Sequence, residues 1–192
     1  MEAGCTVVRT TGHAPFYAWP GIDVRYTPAI GLFEWHGYQR AGEAVNMSVK
    51  LSDLDLHVDL PADLEVRRAT AADREPLVAA IAASWTEDDW SAEIAAAFEL
   101  DDAGVWLVLQ DGEIAGFAAY GVTHPNVGVQ IGVWPKSRGR EVGLMLMKRM
   151  MFELREAGKD EGEFLWVGPV AYFSKHANAR INRVFWIYEK AL

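Results

Sequence analysis

The chain has 192 residues, about half of them apolar, with a formal net charge of −9 and one cysteine, Cys5. The length fits one domain, or one domain plus a fragment, and the apolar share is enough for a real core. An acidic chain without a segregated basic face repels a nucleic-acid duplex, no apolar run approaches the ~20 residues of a membrane span, and a lone cysteine closes no internal disulfide, so the expectation is a cytoplasmic protein with neither nucleic acid nor membrane as partner.

Residues 13–30 open with a loop rich in aromatics, Pro and Gly. A helix is predicted from about 26 to 36, with Ala29, Ile30 and Phe33 on one face and Gly37 placed to end it. A half-buried strand follows at about 43–51, where Val45, Met47, Val49 and Leu51 alternate with Ala44, Asn46, Ser48 and Lys50. A linker closed by Pro61 leads to a short strand at 64–69. Thr70 with Asp73 starts a helix whose apolar stripe is Leu77, Ile81 and Trp85. After the acidic turn TEDD, WSAEIAAAFEL is a second helical segment. VWLVLQ and EIAGFAAYGV are strands joined by Asp111-Gly112, the strongest short hairpin signal. His124-Pro125-Asn126 turns into a fourth strand, VGVQIGVWP. Residues 141–157 form a long helix, with Val142, Met145, Leu146, Arg149, Met150 and Leu154 at 3–4 spacing. FLWVGPV reads as an all-apolar buried strand, AYFSKHANA as a short helix and RINRVFWIYEKAL as a final strand. From residue 64 the order β, α, α, β, β, β, α, β, α, β predicts an α/β fold whose mixed sheet has antiparallel strands first and a βαβ crossover at 129–168.

The segment IGVWPKSRGREVGLMLMKRM carries the chemistry. A strand ends at Trp134-Pro135, and a loop from Lys136 to Arg140 opens the long helix. Free N–H groups and the macrodipole at a helix start make an anion site. Gly139 and Gly143 allow close backbone approach, and Lys136, Arg138 and Arg140 add counter-charge. With Lys148 and Arg149 they form a cluster suited to a diphosphate and a further phosphate, although a basic helix start is also ordinary solvated surface.

On these residues the sequence resembles the GNAT superfamily of acyl-CoA-dependent N-acyltransferases. Its motif, Gln/Arg-x-x-Gly-x-Gly/Ala, corresponds to Arg138-Gly139-Arg140-Glu141-Val142-Gly143, with Glu141 standing where the family keeps Gly. The resemblance covers about residues 64–192. It implies a GNAT-like fold, a central mixed sheet flanked by helices, with acetyl-CoA as cosubstrate and no metal. It further implies that Ile131, Gly132 and Val133 pair with the pantetheine arm, that the stretch from Arg138 to Leu144, with Glu141 and Val142, meets the diphosphate, and that the acyl group lies beside Val167 and Gly168. A carboxylate at 141 would repel a diphosphate by roughly 1 kcal/mol in water-like screening.

Acyl transfer to an amine needs a base for the ammonium and gains from an acid for the leaving thiolate. Relatives with a GPVxFY segment carry that acid on its Tyr. Here the segment is Gly168-Pro169-Val170-Ala171-Tyr172-Phe173, so either the helix starts in a shifted register and Tyr172 is the acid, or the acid is missing. Ser174 and His176 are further candidates. His124 is the candidate base, beside Gln130, Glu99, Asp101, Asp102 and the turn residues Glu87, Asp88 and Asp89, each also readable as a solvated polar residue.

The segment DVRYTPAIGLFEWHGYQRAGEAVNMSVKL resembles the end of another GNAT repeat, a short helix and then a strand, as in PVAYFSKHANARINRVFWIYEKAL. Residues 1–60 are therefore expected to be the remnant of a first repeat, or else an unrelated extension, and 61–192 the acetyltransferase-like domain. A lone helix and strand form no independent core. They should pack on the complete domain or join a partner's sheet, which leaves room for a homodimer through the N-terminal segment or a sheet edge. The expected activity is transfer of an acetyl group to the amine of a small molecule or peptide. The alternative is a catalytically degenerate module that binds acyl-CoA or a protein.

Overall fold

The computed structural model describes residues 4–14, 19–57, 61–85, 90–125 and 127–192, the side chain of Val129 apart. Among these residues one sheet of nine strands runs in the order β1 (Val7–Arg9), β9 (Arg180–Ala191), β3 (Gln39–Lys50), β8 (Glu161–Phe164), β7 (Val127–Val133), β6 (Glu113–Tyr120), β5 (Gly104–Gln110) and β4 (Leu64–Arg68), with β2 (Ile22–Asp23) also on β9. Only β7 and β8 run parallel. The helices are α1 (Thr27–Trp35), α2 (Arg74–Ser84), α3 (Trp90–Ala97), α4 (Val142–Glu156) and α5 (Val170–Ala177). The order from residue 64 and the mixed α/β class are as predicted.

At β5 and β6 the sheet is buried on both faces. Neighbouring residues of β5 and β6 divide between two clusters, Leu107 and Phe117 in one, Val108 and Ala118 in the other, as side chains alternating across a pleat must. One face carries α4, which buries Val142, Met145, Leu146, Met147, Met150, Met151 and Leu154 against Met47, Val49 and Leu51. The other carries α2 and α3, where Leu77, Ile81 and Ile94 are fully buried, each worth roughly 1.5–3 kcal/mol. The Thr70 N–H donates to Asp73 at 2.7 Å and its hydroxyl to the same carboxylate at 2.8 Å, which caps a 3-10 turn, Ala71–Asp73, that runs into α2. Asp111 and Gly112 take φ of 51° and 80° at the tip between β5 and β6, the left-handed pair a two-residue hairpin requires.

The first 60 residues supply a central strand. β3 lies between β8 and β9, pairing with β9 over Gln39–Ser48 and with β8 over Met47–Lys50. Its predicted apolar face joins the core around α4. Asn46, on the opposite face, is buried as well. The pairs α1–β3 and α5–β9 are each a helix followed by a 12-residue strand, and the two strands are antiparallel neighbours.

One prediction needs correcting. FLWVGPV is not a strand: β8 starts earlier and ends at Phe164. Trp166 takes a left-handed φ of 45°, its N–H donates to the Asn46 side-chain oxygen at 3.0 Å, and the Val167 N–H donates to the Val45 carbonyl at 2.8 Å. The chain is thus drawn along β3, and Leu165 and Val167 are buried without extended pairing while Trp166 stays exposed. Among the described residues no helix is long and apolar enough to cross a membrane.

Candidate active site

β7 and β8 pair only at Val127–Glu163 and Gly128–Phe164, then part. The turn at Trp166 draws one strand away. On the other, the register with β6 slips between Ala119–Gln130 and Tyr120–Gly128, leaving Val129 as an extra residue. Such a bulge bends its strand. Beyond it the Trp134 N–H donates to the Ala115 carbonyl of β6 at 3.1 Å. Peptide groups alternate in direction along a strand, so Ile131 and Val133 turn theirs toward the edge that β8 has vacated. There the Arg138 Nε donates to the Val133 carbonyl at 3.4 Å. Gly132 turns its peptide groups toward β6, and a Cβ on it, standing off the sheet, would lie 2.2 Å from the Phe117 ring. Only a glycine lets that ring press against the strand.

A single 3-10 turn, Pro135–Ser137, leads from β7 to α4, pinned by buried Ser137 donating to the Gln110 side chain at 3.3 Å. α4 then begins without a capping side chain. Its first internal bond is Met145 N–H to the Glu141 carbonyl at 2.9 Å, so the amides of Val142, Gly143 and Leu144 have no acceptor within the helix. Glu141 has φ 60°, in the left-handed region. That conformation is why glycine suits the position, and it costs a residue with a Cβ roughly 1–2 kcal/mol.

The helix start, the open edge of β7 and α5 border one cavity of about 900 Å³. Ile131, Gly132, Val133, Arg138, Gly139, Glu141, Val142, Gly143, Leu144 and Tyr172 all line it, so ten of the predicted site residues meet there. Trp85 and Trp90, from the opposite face of the sheet, line it too. The cavity therefore passes through the sheet where β7 and β8 part. Tyr172 and Phe173 both border it. Phe173 packs on Phe164 at 4.4 Å between centroids, while Tyr172 meets His176, a third wall residue, at 4.8 Å. A Cβ on Gly143 would lie 3.4 Å from the Tyr172 hydroxyl, which places that oxygen beside the start of α4. Burial, and secondarily the Glu141 carboxylate, push the Tyr172 phenol above its usual value, so it keeps its proton at neutral pH.

The basic cluster disperses. Arg138 alone of it borders the cavity. Arg140 pairs with Asp63, Lys148 donates to the His57 carbonyl at 2.7 Å, and Arg149 lies over the Trp106 ring at 5.7 Å. Lys136 is exposed on the 3-10 turn, outside the lining. α4 rises about 1.5 Å per residue, which carries 148 and 149 roughly 10 Å along the axis from its start. His124 lies exposed in the turn before β7, and Glu99 pairs with Arg74 at 3.2 Å; neither lines the cavity, and nor do Asp101, Asp102 and Ser174. Pro169 borders it, Val167 and Gly168 do not. Glu87, Asp88 and Asp89 lie outside the described residues.

The sequence reading missed two features. Glu93 is fully buried on α3 and accepts a hydrogen bond from the Gln130 side chain on β7. Its signal was its spacing, since Trp90, Glu93, Ile94 and Ala97 fall on one helical stripe. The second is the tryptophan wall, for Trp85 reads as ordinary core at the end of an apolar stripe. Among the described residues no three His, Cys, Asp or Glu side chains are grouped to hold a metal.

A sequence model described as the Acetyltransferase (GNAT) family matches residues 68–172. No curated protein matches the chain. Solved structures share the fold at low identity. A GCN5-related N-acetyltransferase from Sphaerobacter thermophilus is 19% identical with a TM-score of 0.68, over 88% of this chain and 58% of its own. A tandem GNAT protein from the clavulanic acid biosynthesis pathway is 13% identical, TM-score 0.70, over 97% and 64%. A glucosamine N-acetyltransferase region of a fungal multi-domain β-N-acetylglucosaminidase is 14% identical, TM-score 0.74, over 96% and 25%. The chain thus spans less than two thirds of each of these three.

Proposed function

Since the chain belongs to the Acetyltransferase (GNAT) family, we propose that it transfers an acetyl group from acetyl-CoA to the amine of a small molecule. The observation that carries this reading is the meeting of an uncapped helix start with a free strand edge in one cavity. The amides of Val142, Gly143 and Leu144, with Arg138, fit a diphosphate. The outward peptide groups of Ile131 and Val133 fit the amide-bearing pantetheine arm. Acetyl-CoA would supply the activated acyl group. Tyr172, held protonated beside the helix start, would deliver a proton to the departing thiolate.

Glu141 favours a second reading, a module that binds acyl-CoA without turnover, because its charge beside the helix start weakens the cradle. Two measurements separate the readings. A thermal-shift titration with acetyl-CoA should raise the melting midpoint, and no rise at millimolar concentration would sink both. Thiol release across an amine panel should then reveal turnover, and silence with every amine would leave only the binding module.

A further inference from the structure

The cavity has two arms of different chemistry. Its ionisable lining, Arg138, Glu141, Tyr172 and His176, lies at the start of α4 and on α5. The arm on the opposite face of the sheet is aromatic. The Trp85 and Trp90 rings stack at 5.5 Å with planes 25° apart, and both line the cavity. Trp134 braces Trp85 edge-on at 4.9 Å, and Phe117 stands edge-on to all three indoles at 5.6–6.2 Å. Trp134 is itself held, its Nε1 donating to the Ser84 hydroxyl at 3.0 Å. Gly132 is the residue that makes room for Phe117. The indole wall is therefore a built surface with its own supports. If the diphosphate occupies the α4 arm, the acceptor must enter through the tryptophan arm.

We propose that the acceptor is a primary amine carried on a flat aromatic body, an arylalkylamine, stacked on the Trp85–Trp90 wall. This rests on the acetyltransferase reading above. Ring faces reward a planar apolar partner in offset or edge-on contact beyond the area buried. A sugar amine would need several hydrogen-bond partners for its hydroxyls, acceptors among them, and apart from the donor-only indole N–H groups of Trp85 and Trp90 the described polar side chains of the lining sit in the other arm and on the turn before α4. A polyamine would need carboxylates along its length, and Glu141, at the start of α4, is the one described acidic residue in the lining.

The test is steady-state thiol release from acetyl-CoA with phenethylamine, glucosamine and spermidine, using the full chain. Phenethylamine should show a kcat/KM at least about tenfold above the other two, the size expected of one or two aromatic contacts. Trp90→Ala should raise its KM by about tenfold while the acetyl-CoA midpoint shift stays as in the parent, and Trp90→Phe should restore most of the loss. Glucosamine or spermidine turned over as well as phenethylamine would overturn the proposal, and so would a Trp90→Ala variant with unchanged KM. If every amine is silent, calorimetry of phenethylamine with the coenzyme A-loaded chain decides. Binding weakened about tenfold by Trp90→Ala supports an aromatic amine stacked on the wall, whereas no binding at millimolar amine, or binding indifferent to Trp90→Ala, overturns it. Loss of the acetyl-CoA midpoint shift in the parent protein would instead overturn the acetyltransferase reading itself.

Discussion

The two arms of the cavity are built by different means. At the start of α4 most of the working groups are backbone amides, oriented by helix geometry, with Arg138 adding counter-charge. On the other face the working groups are side chains, and the backbone only spaces them. A backbone cradle tolerates substitution except where a Cβ or a charge intrudes, as Glu141 does. A side-chain wall fails with the loss of any one ring or support. The lesson is that Glu141 weakens the first arm without dismantling it, while Gly132 and the indoles leave the second arm no such margin.

Tyr172 lies in the first arm, beside the start of α4, and carries the largest expected effect. Tyr172→Phe should cut kcat by about a hundredfold or more if the phenol delivers a proton, with the melting midpoint little changed. Because burial raises its pKa above the ordinary 10, the alkaline limb of the kcat profile should lie above pH 10, and it should vanish in the variant. Unchanged turnover would remove Tyr172 from the chemistry.

Gly132→Ala should break the aromatic arm through its support. The added carbon meets Phe117 at 2.2 Å, and overpacking of this kind costs about 1–3 kcal/mol, readable as a lower denaturant midpoint. A neutral result would mean that Phe117 has room to turn, and that the wall is less constrained than the geometry implies.

Glu141→Gly should repair the backbone arm. It removes a carboxylate beside the anion site, so the acetyl-CoA Kd should fall about fivefold, roughly 1 kcal/mol, while relief of the left-handed backbone should appear as a higher melting midpoint of the free protein. Calorimetry checks the Kd. An unchanged Kd would place the diphosphate elsewhere. The smallest effect separates two neighbouring arginines. Arg138→Ala should weaken coenzyme A binding by a few-fold, whereas Arg140→Ala, which breaks a partly exposed pair with Asp63, should alter it little.

The difference between the arms also explains what the sequence made legible. The α4 cradle could be read in advance because its signals are local: a strand end, a turn, two glycines and a helix period within 30 residues. The hairpin at Asp111-Gly112 and the capping box of Thr70 and Asp73 ahead of α2 are local in the same way. The tryptophan wall joins residues from α2, α3, β6 and the end of β7, and no periodicity announces that meeting. FLWVGPV was misread because an apolar run looks the same paired or unpaired, and the Asn46 side chain that diverts it lies 120 residues away. The basic cluster was overcounted because charge in sequence says nothing of partners such as Asp63 or the His57 carbonyl.

The central claim is that the amides opening α4 and the free edge of β7 hold one ligand together. The most direct test is amide chemical-shift mapping on titration with coenzyme A. The largest changes should fall on Val142, Gly143 and Leu144 and, with them, on Ile131 and Val133. No changes at millimolar coenzyme A, or changes that spare the start of α4, would contradict it.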